Sequence, residues 1–171
     1  MYARDLAFTN TARKLITEQL YPRFAVSQVS IGGSLGSEWV QQNAHIDAIL
    51  ALKDGRSITV EEKIIRRPWP SFALETWSSV ERERPGWIYT SKADWLLYAF
   101  IQPYGMDAYL MEFDKLQGWF NRVQAAIHYH PHDTENKMKY GDRFTSRCIL
   151  VPIDELSRAI RVVKYKLESE S

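Results

Sequence analysis

The sequence predicts a mixed α/β domain in which a β-sheet is flanked by helices. Apolar side chains recur at helical spacing near the N terminus and again after residue 114, which predicts amphipathic helices. Short apolar runs bounded by turn residues lie between and after these segments, as expected for strands. The chain has 171 residues, of which 45% are hydrophobic, so it is long and apolar enough to bury one sizeable core. We therefore expect a single domain over residues 1–171.

Charge and cysteine content narrow the classes of function. The net charge is +1, so nucleic-acid binding requires a local cluster of cations rather than an overall basic field. Cys148 is the only cysteine, which excludes an intramolecular disulfide and a multi-cysteine zinc site. The first residues are polar and the apolar runs are too short to span a membrane, which predicts a cytoplasmic protein without membrane association.

The N-terminal third is predicted to contain one helix and one strand. The helix covers residues 5–20 and ends at Tyr21-Pro22. The strand covers residues 24–31, where a change in the apolar phase indicates a bulge. The glycine-rich loop over 32–37 lacks the Gly-Lys-Ser/Thr ending of a phosphate-binding P-loop, so it is interpreted as a connection.

The most informative stretch is a predicted β-hairpin over residues 44–63, which turns at an Asp-Gly pair. Asp47 lies in its first strand, and Glu61 and Lys63 lie in its second. Because side chains alternate along a strand, Glu61 and Lys63 share one face. The tight turn brings Asp47 level with Glu61. The hairpin therefore predicts two carboxylates and one ammonium group at one position on the sheet.

This combination of side chains has a definite chemistry. Two adjacent carboxylates repel each other unless a cation or a proton lies between them. Mg²⁺ binds one or two protein carboxylates and keeps several waters, so the pair suits it. A metal-activated water beside a phosphodiester is a hydrolysis centre, in which Lys63 can hold a water or a phosphate oxygen. The same residues also fit a hairpin with an ordinary Glu–Lys surface pair, which contributes little.

The motif formed by Asp47, a turn and Glu61-Glu62-Lys63 resembles the core of the PD-(D/E)xK nuclease superfamily. This superfamily includes restriction endonucleases, Holliday-junction resolvases and many phage-borne nucleases. The motif is short and degenerate, so the order of the surrounding segments carries its specificity. One departure is that Ile46, rather than proline, precedes Asp47.

The resemblance extends in order over most of the chain. A helix carrying Glu18 precedes the hairpin, and a strand carrying Glu75 follows it. Residues 86–92 then lead into a strongly apolar strand. The resemblance implies a restriction-endonuclease-like mixed β-sheet flanked by helices. It also implies metal-dependent hydrolysis of phosphodiester bonds in DNA, often by a homodimer, because members of this superfamily often act as dimers.

The resemblance further implies a catalytic set and a site for Mg²⁺ or Mn²⁺. The metal ligands would be Asp47, Glu61 and the backbone carbonyl of Glu62. Lys63 would orient the attacking water, and Glu18 would hold a metal-bound water or a second ion. Glu75 is a weaker candidate for that last role. Glu18 and Glu75 also fit solvated glutamates.

The side chain of Glu62 raises a separate question. It shares a strand face with Ile58, Val60 and Ile64. If that face is buried, the Glu62 carboxylate requires a partner or a water, because an unpaired buried carboxylate is costly.

Four residues outside the motif are predicted to contact the DNA backbone. Arg66 and Arg67 directly follow the catalytic strand and can bind phosphates, and the nearby Trp69 can stack on a base. Gln41 precedes the hairpin, and Lys92 lies in the turn before the apolar strand. Each of the four also fits a solvated surface residue.

The second half of the chain is predicted to continue the sheet. A polar excursion and a charged tail are expected to be mobile. The predicted elements are a strand over 93–101, a strand over 107–113, a helix over 114–128 capped by Asp114, a mobile excursion over 133–143, a last strand over 144–151, a short helix through Ile160 and a frayed tail over 167–171.

Two alternative functions remain open. The chain could be a nucleic-acid- or protein-binding module that keeps the nuclease fold without turnover. It could also be an RNA-directed nuclease, although no RNA-recognition signature is present. A titration with Mg²⁺ or Mn²⁺ distinguishes the first alternative from an enzyme.

Overall fold

The computed structural model of the chain describes residues 12–30, 45–124, 130–137, 141 and 143–169. Gln41 lies outside the described residues. The described part contains strands and helices in mixed order, so the predicted α/β class is confirmed. The strands are β1 (Ala25–Ser30), β2 (Ala48–Leu52), β3 (Ser57–Ile65), β4 (Ser71–Ser79), β5 (Arg84–Pro85), β6 (Trp95–Gln102), β7 (Gly105–Glu112), β8 (Pro131–Lys137), β9 (Arg143–Pro152) and β10 (Val163–Glu168).

Helical segments lie at both ends and in the middle of the described chain. The N-terminal helix is described from residue 12, and its last turn, Ile16–Leu20, is π-helical. A 3₁₀ turn over Tyr21–Arg23 follows, so the predicted end of this helix is confirmed. The remaining helices are α1 (Trp87–Thr90), α2 (Phe113–Val123) and α3 (Ile153–Ala159).

The strands form two sheets. The main sheet has six strands in the order β1-β2-β3-β6-β7-β10, and the second sheet has four in the order β5-β4-β9-β8. The β3–β6 pair is parallel, while the other pairs of the main sheet are antiparallel, so this sheet is mixed. A mixed sheet arises here because the chain leaves β3, builds β4 and α1, and returns beside β3 in the same direction.

The central strand β6 divides the hydrophobic core into two parts. Its side chains alternate, and both faces are buried, as its nearly continuous apolar sequence predicted. Leu97 and Ala99 pack in the cluster that contains the N-terminal helix. Leu96, Tyr98 and Phe100 pack in the cluster that contains β4, β9 and α2. Each face of the main sheet is therefore covered by a different part of the chain.

The hairpin and its neighbours form largely as their sequences predict. β2 and β3 pair antiparallel with Ala48 opposite Val60. The turn between them closes through Gly55, whose φ of 88° suits glycine, and through the Asp54 carboxylate, which accepts the Arg56 backbone N–H at 3.0 Å. The register of β1 shifts between Ala25 and Ser27, as the change of apolar phase predicted.

The predicted mobile excursion over 133–143 is wrong for its first part. Residues Pro131–Lys137 form β8, which pairs with β9 along its whole length. Cross-strand ion pairs join Arg147 to Asp133 at 2.7 Å and Arg143 to Glu135 at 2.7 Å. β8 is an edge strand with exposed side chains, and charged side chains are common on such edges. The polar sequence of this segment is therefore that of an exposed edge strand and not that of a loop.

Two further predictions about the second half are wrong. β9 is not the last strand, because β10 follows it and pairs with β7, and Leu167 of the predicted frayed tail is fully buried there. Asp114 does not cap α2, because the helix begins one residue earlier with Glu112 at the N-cap. The Phe113 backbone N–H instead donates to the Asp94 carbonyl at 2.8 Å, so a loop in the main sheet fixes this helix start.

Among the described residues, no helix is long and apolar enough to cross a membrane.

Candidate active site

The register of the hairpin places Asp47 beside Glu61. Ala48, the first residue of β2, pairs with Val60, and Asp47 directly precedes it. The Asp47 backbone N–H donates to the Val60 carbonyl at 2.8 Å, so Asp47 lies beside Val60 and Glu61. The prediction that Asp47 lies roughly level with Glu61 is therefore confirmed.

Glu61 and Lys63 share the face of β3 that is turned toward the second sheet. The Lys63 Nζ contacts Glu61 Oε1. The Glu61 side chain is 2% exposed and that of Lys63 is 26% exposed, so the ammonium group lies between the buried acid and solvent. This burial distinguishes the pair from a solvated surface pair, which was the other interpretation of the hairpin.

Burial also changes the ionisation of Glu61. Removal of the carboxyl group from water raises the pKa of Glu61 from 4.5 to about 7, and the negative charges of Asp47 and Glu62 act in the same direction. The positive charge and hydrogen bond of Lys63 lower the pKa, but they only partly offset the effect of burial. A proton, a lysine ammonium group or a metal cation would each reduce the free-energy cost of burying this carboxylate.

Asp47 directly precedes the first residue of β2 and lies beside the middle of β3. The N–H of Glu62 lacks a β2 backbone partner at this level, and it donates to Asp47 Oδ2 at 2.8 Å. The N–H and C=O of one strand residue point to the same edge of the strand. The carbonyl of Glu62 therefore points toward the same edge as Asp47, which suits its predicted role as a ligand.

The side chain of Glu62 lies on the opposite face of β3, and its partners come from the N-terminal helix and from the 3₁₀ turn that follows it. The Tyr21 hydroxyl donates to Glu62 Oε1 at 2.6 Å. Arg13 Nε lies 3.6 Å from Glu62 Oε2, and Arg13 Nη2 lies 3.9 Å from Asp47 Oδ1. Burial raises the pKa of Glu62 and raises that of Tyr21 well above 10. Glu62 therefore has the partners that its buried face requires.

The charges around these groups are nearly balanced. Asp47, Glu61 and Glu62 carry three negative charges when all are ionised, while Arg13 and Lys63 carry two positive charges. The cluster of these five side chains then has one excess negative charge. Such a cluster attracts a further cation, because buried like charges raise each other's free energy.

His45 lies beside Glu61 in an uncommon backbone conformation. Its φ is 50°, in the left-handed region, and the Ser91 hydroxyl donates to its carbonyl at 3.3 Å. The His45 Nδ1 lies 3.9 Å from Glu61 Oε1. Burial, followed by the charge of Lys63, lowers the pKa of His45 below 6.5. The imidazole is therefore mostly neutral at pH 7, and its contact with Glu61 is not a full ion pair.

Glu75, in strand β4 of the second sheet, and the helix α1 lie near Lys63. The Lys63 Nζ lies 5.3 Å from the centre of the Trp87 ring, in a cation–π arrangement. The Trp87 backbone N–H donates to Glu75. Burial raises the pKa of Glu75 above 4.5, and the positive charge of Lys63 only partly offsets this effect. A side chain at Gly86 would lie 2.1 Å from the Glu75 carbonyl oxygen, so only glycine permits this close approach.

The other predicted site residues lie apart from this cluster or at its margin. Glu18 is 60% exposed and forms an ion pair with Lys14 at 3.9 Å; among its contacts in the described chain, none is to Asp47 or Glu61. Arg66 and Arg67 are exposed in the loop that follows β3, and Lys92 is exposed between α1 and β6. The structure thus brings together the motif residues and Glu75, while Glu18 remains a prediction.

Sequence reasoning missed four residues that belong to this cluster or contact it. They are Arg13, Tyr21, His45 and Trp87. The buried face predicted for Glu62 indicated that a donor was needed, but not which element would carry it. The resemblance brings the N-terminal helix to the site through Glu18, but no sequence signal identifies Arg13 and Tyr21 as the residues that contact Glu62.

The donor set fits a hard divalent cation. In the described residues, no group of three histidine, cysteine, aspartate or glutamate side chains is arranged to hold a metal. The predicted set needs only the carboxylates of Asp47 and Glu61 together with one backbone carbonyl. All of these ligands are oxygens, which Mg²⁺ and Mn²⁺ prefer. When all three acids of the cluster are ionised, its excess negative charge acts in the same direction.

Comparisons of the chain with protein-family models, with curated proteins and with solved structures found no match. The fold and the site define a mixed α/β protein with a buried carboxylate–lysine cluster at the edge of a hairpin.

Proposed function

We propose that the chain is a metal-dependent nuclease that hydrolyses phosphodiester bonds in DNA, with a restriction-endonuclease-like fold of the PD-(D/E)xK superfamily. One observation supports the proposal above the others. Asp47, Glu61 and Lys63 meet beside the start of β2, and Glu61 is buried while Lys63 is partly exposed. This arrangement agrees with the order of functional groups in the superfamily motif.

In this proposal Asp47, Glu61 and the carbonyl of Glu62 hold Mg²⁺ or Mn²⁺. Such an ion, when bound, supplies Lewis-acid polarisation of a phosphoryl oxygen. Asp47 is held in place for this role by the Glu62 N–H at 2.8 Å. Glu61 is held by its strand and kept from bulk water by the facing second sheet.

Lys63 acts on the phosphate rather than on the metal. Its ammonium group lies at the boundary between Glu61 and solvent, where a phosphate oxygen can reach it. A point charge at this position orients the attacking water and stabilises the negative charge that grows on the phosphate. Trp87 and Glu75 limit the positions that the lysine side chain can adopt.

Substrate contacts are proposed for exposed residues around this centre. Arg66 and Arg67 follow the strand that carries Lys63, and Lys92 precedes β6, the strand that pairs with β3. Gln41 and Glu18 keep their predicted roles at the substrate backbone and at a metal-bound water. Each chain carries one such site, so cleavage of both DNA strands in one encounter requires a homodimer.

A binding module without turnover is the second candidate, and one observation favours it. Lys63 already contacts Glu61, and the Arg13 guanidinium lies 3.9 Å from Asp47 Oδ1. Both carboxylates therefore have cationic neighbours in the absence of a metal. If these contacts persist in solution with Mg²⁺ present, the cluster stabilises the fold and performs no hydrolysis.

A cleavage assay with a panel of substrates tests the proposal. Wild-type protein is incubated with supercoiled plasmid, linear duplex, single strand, branched DNA and RNA, in the presence of Mg²⁺ or Mn²⁺. We expect cleavage of at least one DNA form, its loss on chelation, and its loss in Asp47→Ala and Glu61→Ala. Asp154→Ala serves as the control, because Asp154 is exposed and forms its ion pair with Arg158, one helical turn along α3.

Metal binding by calorimetry separates the two candidates. A nuclease binds Mg²⁺ or Mn²⁺ through Asp47 and Glu61, so each alanine variant loses this binding. Wild-type turnover in either variant would contradict the proposed site. Absence of both metal binding and cleavage in the wild type would leave the binding module as the supported function.

A further inference from the structure

An apolar groove of about 210 Å³ opens beside the candidate active site. It lies between the end of β3, the middle of β6 and the second sheet. Its lining includes Ile65, Trp69, Ala73, Tyr98, Phe100 and His132. The floor is aromatic, because the Tyr98 and Phe100 rings lie 5.2 Å apart and are both almost fully buried.

The groove continues directly from the catalytic position. In the parallel β3–β6 pair, Lys63 lies beside Tyr98 and Ile65 lies beside Phe100. Lys63 and Ile65 share one face of β3, and two strand residues span about 7 Å. A molecule that contacts Lys63 with one group can therefore place its next group over Ile65 and Phe100.

One of the residues that line this groove is an exposed tryptophan. Trp69 is 54% exposed, which is unusual for a large apolar side chain. It lies between Pro68 and Pro70 in the loop that also carries the exposed Arg66 and Arg67. Proline fixes its own backbone φ and restricts the backbone of the residue before it, so the two prolines limit the conformations of the loop that carries Trp69.

We propose that the groove binds an unpaired nucleobase of the substrate strand, stacked on Trp69, and that the substrate is therefore single-stranded or locally opened next to the scissile phosphate. This inference rests on the proposed function, because Lys63 fixes the position of that phosphate. The apolar floor and the indole suit the face of a base, while Arg66 and Arg67 suit the adjoining phosphates. A base in an intact duplex is stacked and paired, so it cannot enter the groove without leaving the helix.

Binding measured without divalent cations tests the inference separately from cleavage. The probe is a short fluorescein-labelled DNA strand of mixed sequence, used alone and annealed to its complement, and the readout is fluorescence anisotropy. We expect the wild type to prefer the single strand. Trp69→Ala should weaken single-strand binding by roughly tenfold or more and change duplex binding far less. Trp69→Phe keeps an aromatic ring and should restore most of the preference.

The outcomes distinguish this inference from the proposed function. Equal losses of single-strand and duplex affinity in Trp69→Ala, or no loss in either, would overturn the groove assignment even if the wild type cleaves DNA. A preserved preference for single strands without any cleavage would support the groove and contradict the nuclease proposal. A wild type that binds neither probe would overturn the groove assignment, whereas the cleavage assay with Mg²⁺ or Mn²⁺ decides the nuclease proposal. Because Trp69 is exposed, its replacement leaves the hydrophobic core intact.

Discussion

Glu61 and Glu62 are neighbours in sequence, and they lie on opposite faces of β3 in two different environments. Glu61 faces the second sheet, where its partner Lys63 belongs to the same strand and remains partly exposed. Glu62 faces the N-terminal helix, where its partners Tyr21 and Arg13 come from a distant segment of the chain. Burial raises the pKa of both carboxyl groups.

The groups on the two faces are expected to have different roles. Those on the Glu61 face take part in the proposed reaction, and those on the Glu62 face stabilise the fold. In the proposed function a substrate reaches the Glu61 face through Lys63, which is partly exposed, whereas the N-terminal segment covers the Glu62 face. Removal of a group from the first face should affect rate more than stability. Removal of a group from the second face should affect stability more than rate, because a buried carboxylate loses its hydrogen bond.

Replacing Lys63 with methionine should have the largest effect on rate. Methionine keeps most of the side-chain volume but removes the charge that, in the proposed mechanism, stabilises the transition state, so we expect cleavage to fall by roughly a hundredfold or more. Mg²⁺ binding should survive or tighten, because a repelling cation has left the site. Single-turnover cleavage and calorimetry on one preparation measure both effects.

Lys115→Met provides the control for that substitution, since Lys115 is exposed and pairs with Asp114. If Lys63→Met cleaves and binds metal like the wild type, then Glu61 and Lys63 form a structural pair and the face assignment is wrong.

Replacing Glu61 with glutamine should make stability depend less on pH. The pKa of Glu61 in the folded protein, about 7, exceeds its ordinary value of 4.5, so the folded state holds this proton more tightly than the unfolded state does. The contribution of protonated Glu61 is fully present below about pH 4.5 and is lost as the pH rises through about 7. Glutamine does not ionise, so at pH 8 the metal-free variant should be more stable by about 1–3 kcal/mol.

Urea unfolding in the presence of a chelator, from pH 5 to pH 8, measures this difference. A stability difference that stays constant over the whole range would show that burial does not perturb Glu61. The face toward the second sheet would then be more hydrated than its 2% side-chain exposure indicates.

Replacing Tyr21 with phenylalanine tests the opposite face. The ring still fills its place in the core, but Glu62 loses a hydrogen bond of 2.6 Å in a buried position. We expect the free energy of unfolding to fall by about 1–3 kcal/mol, as for hydrogen bonds to charged groups. Cleavage should fall far less than in Lys63→Met. A rate loss as large as that of Lys63→Met, with unchanged stability, would place Tyr21 among the catalytic groups.

Replacing Arg66 and Arg67 together with alanine should have the smallest effect. Both side chains are exposed, so the stability of the fold should change little. If they bind phosphates, the salt dependence of DNA binding should become shallower by roughly one to two units of slope. Binding measured over a range of salt concentrations checks this, and an unchanged slope would identify both as ordinary surface arginines.

The sequence predicted the centre of the protein better than its periphery. The hairpin, its turn and the buried strand β6 follow from alternation and from an Asp-Gly turn, which are local signals. β8 and β10 were missed, because one is an exposed edge strand rich in charged residues and the other lies in a charged tail. Pairing with β9 and β7 determines them, and pairing partners are not encoded within a single segment.

The candidate site divides in the same way. Asp47, Glu61 and Lys63 could be predicted as neighbours, because a hairpin of known register brings residues together at a short sequence distance. Arg13 and Tyr21 could not be predicted, because they contact β3 from a segment distant in sequence and no local pattern specifies that contact. Glu18 shows the converse, since its position on that helix directs it to Lys14 and solvent.

The sequence by itself determined which side chains share each face of β3, because alternation along a strand is a property of the local backbone. Only the tertiary structure decided what covers those faces. The second sheet buries Glu61 and leaves Lys63 at the edge of solvent, while the N-terminal helix encloses Glu62 with Tyr21 and Arg13. Burial sets the pKa of Glu61 and access to Lys63, and burial arises from packing between segments that are distant in sequence.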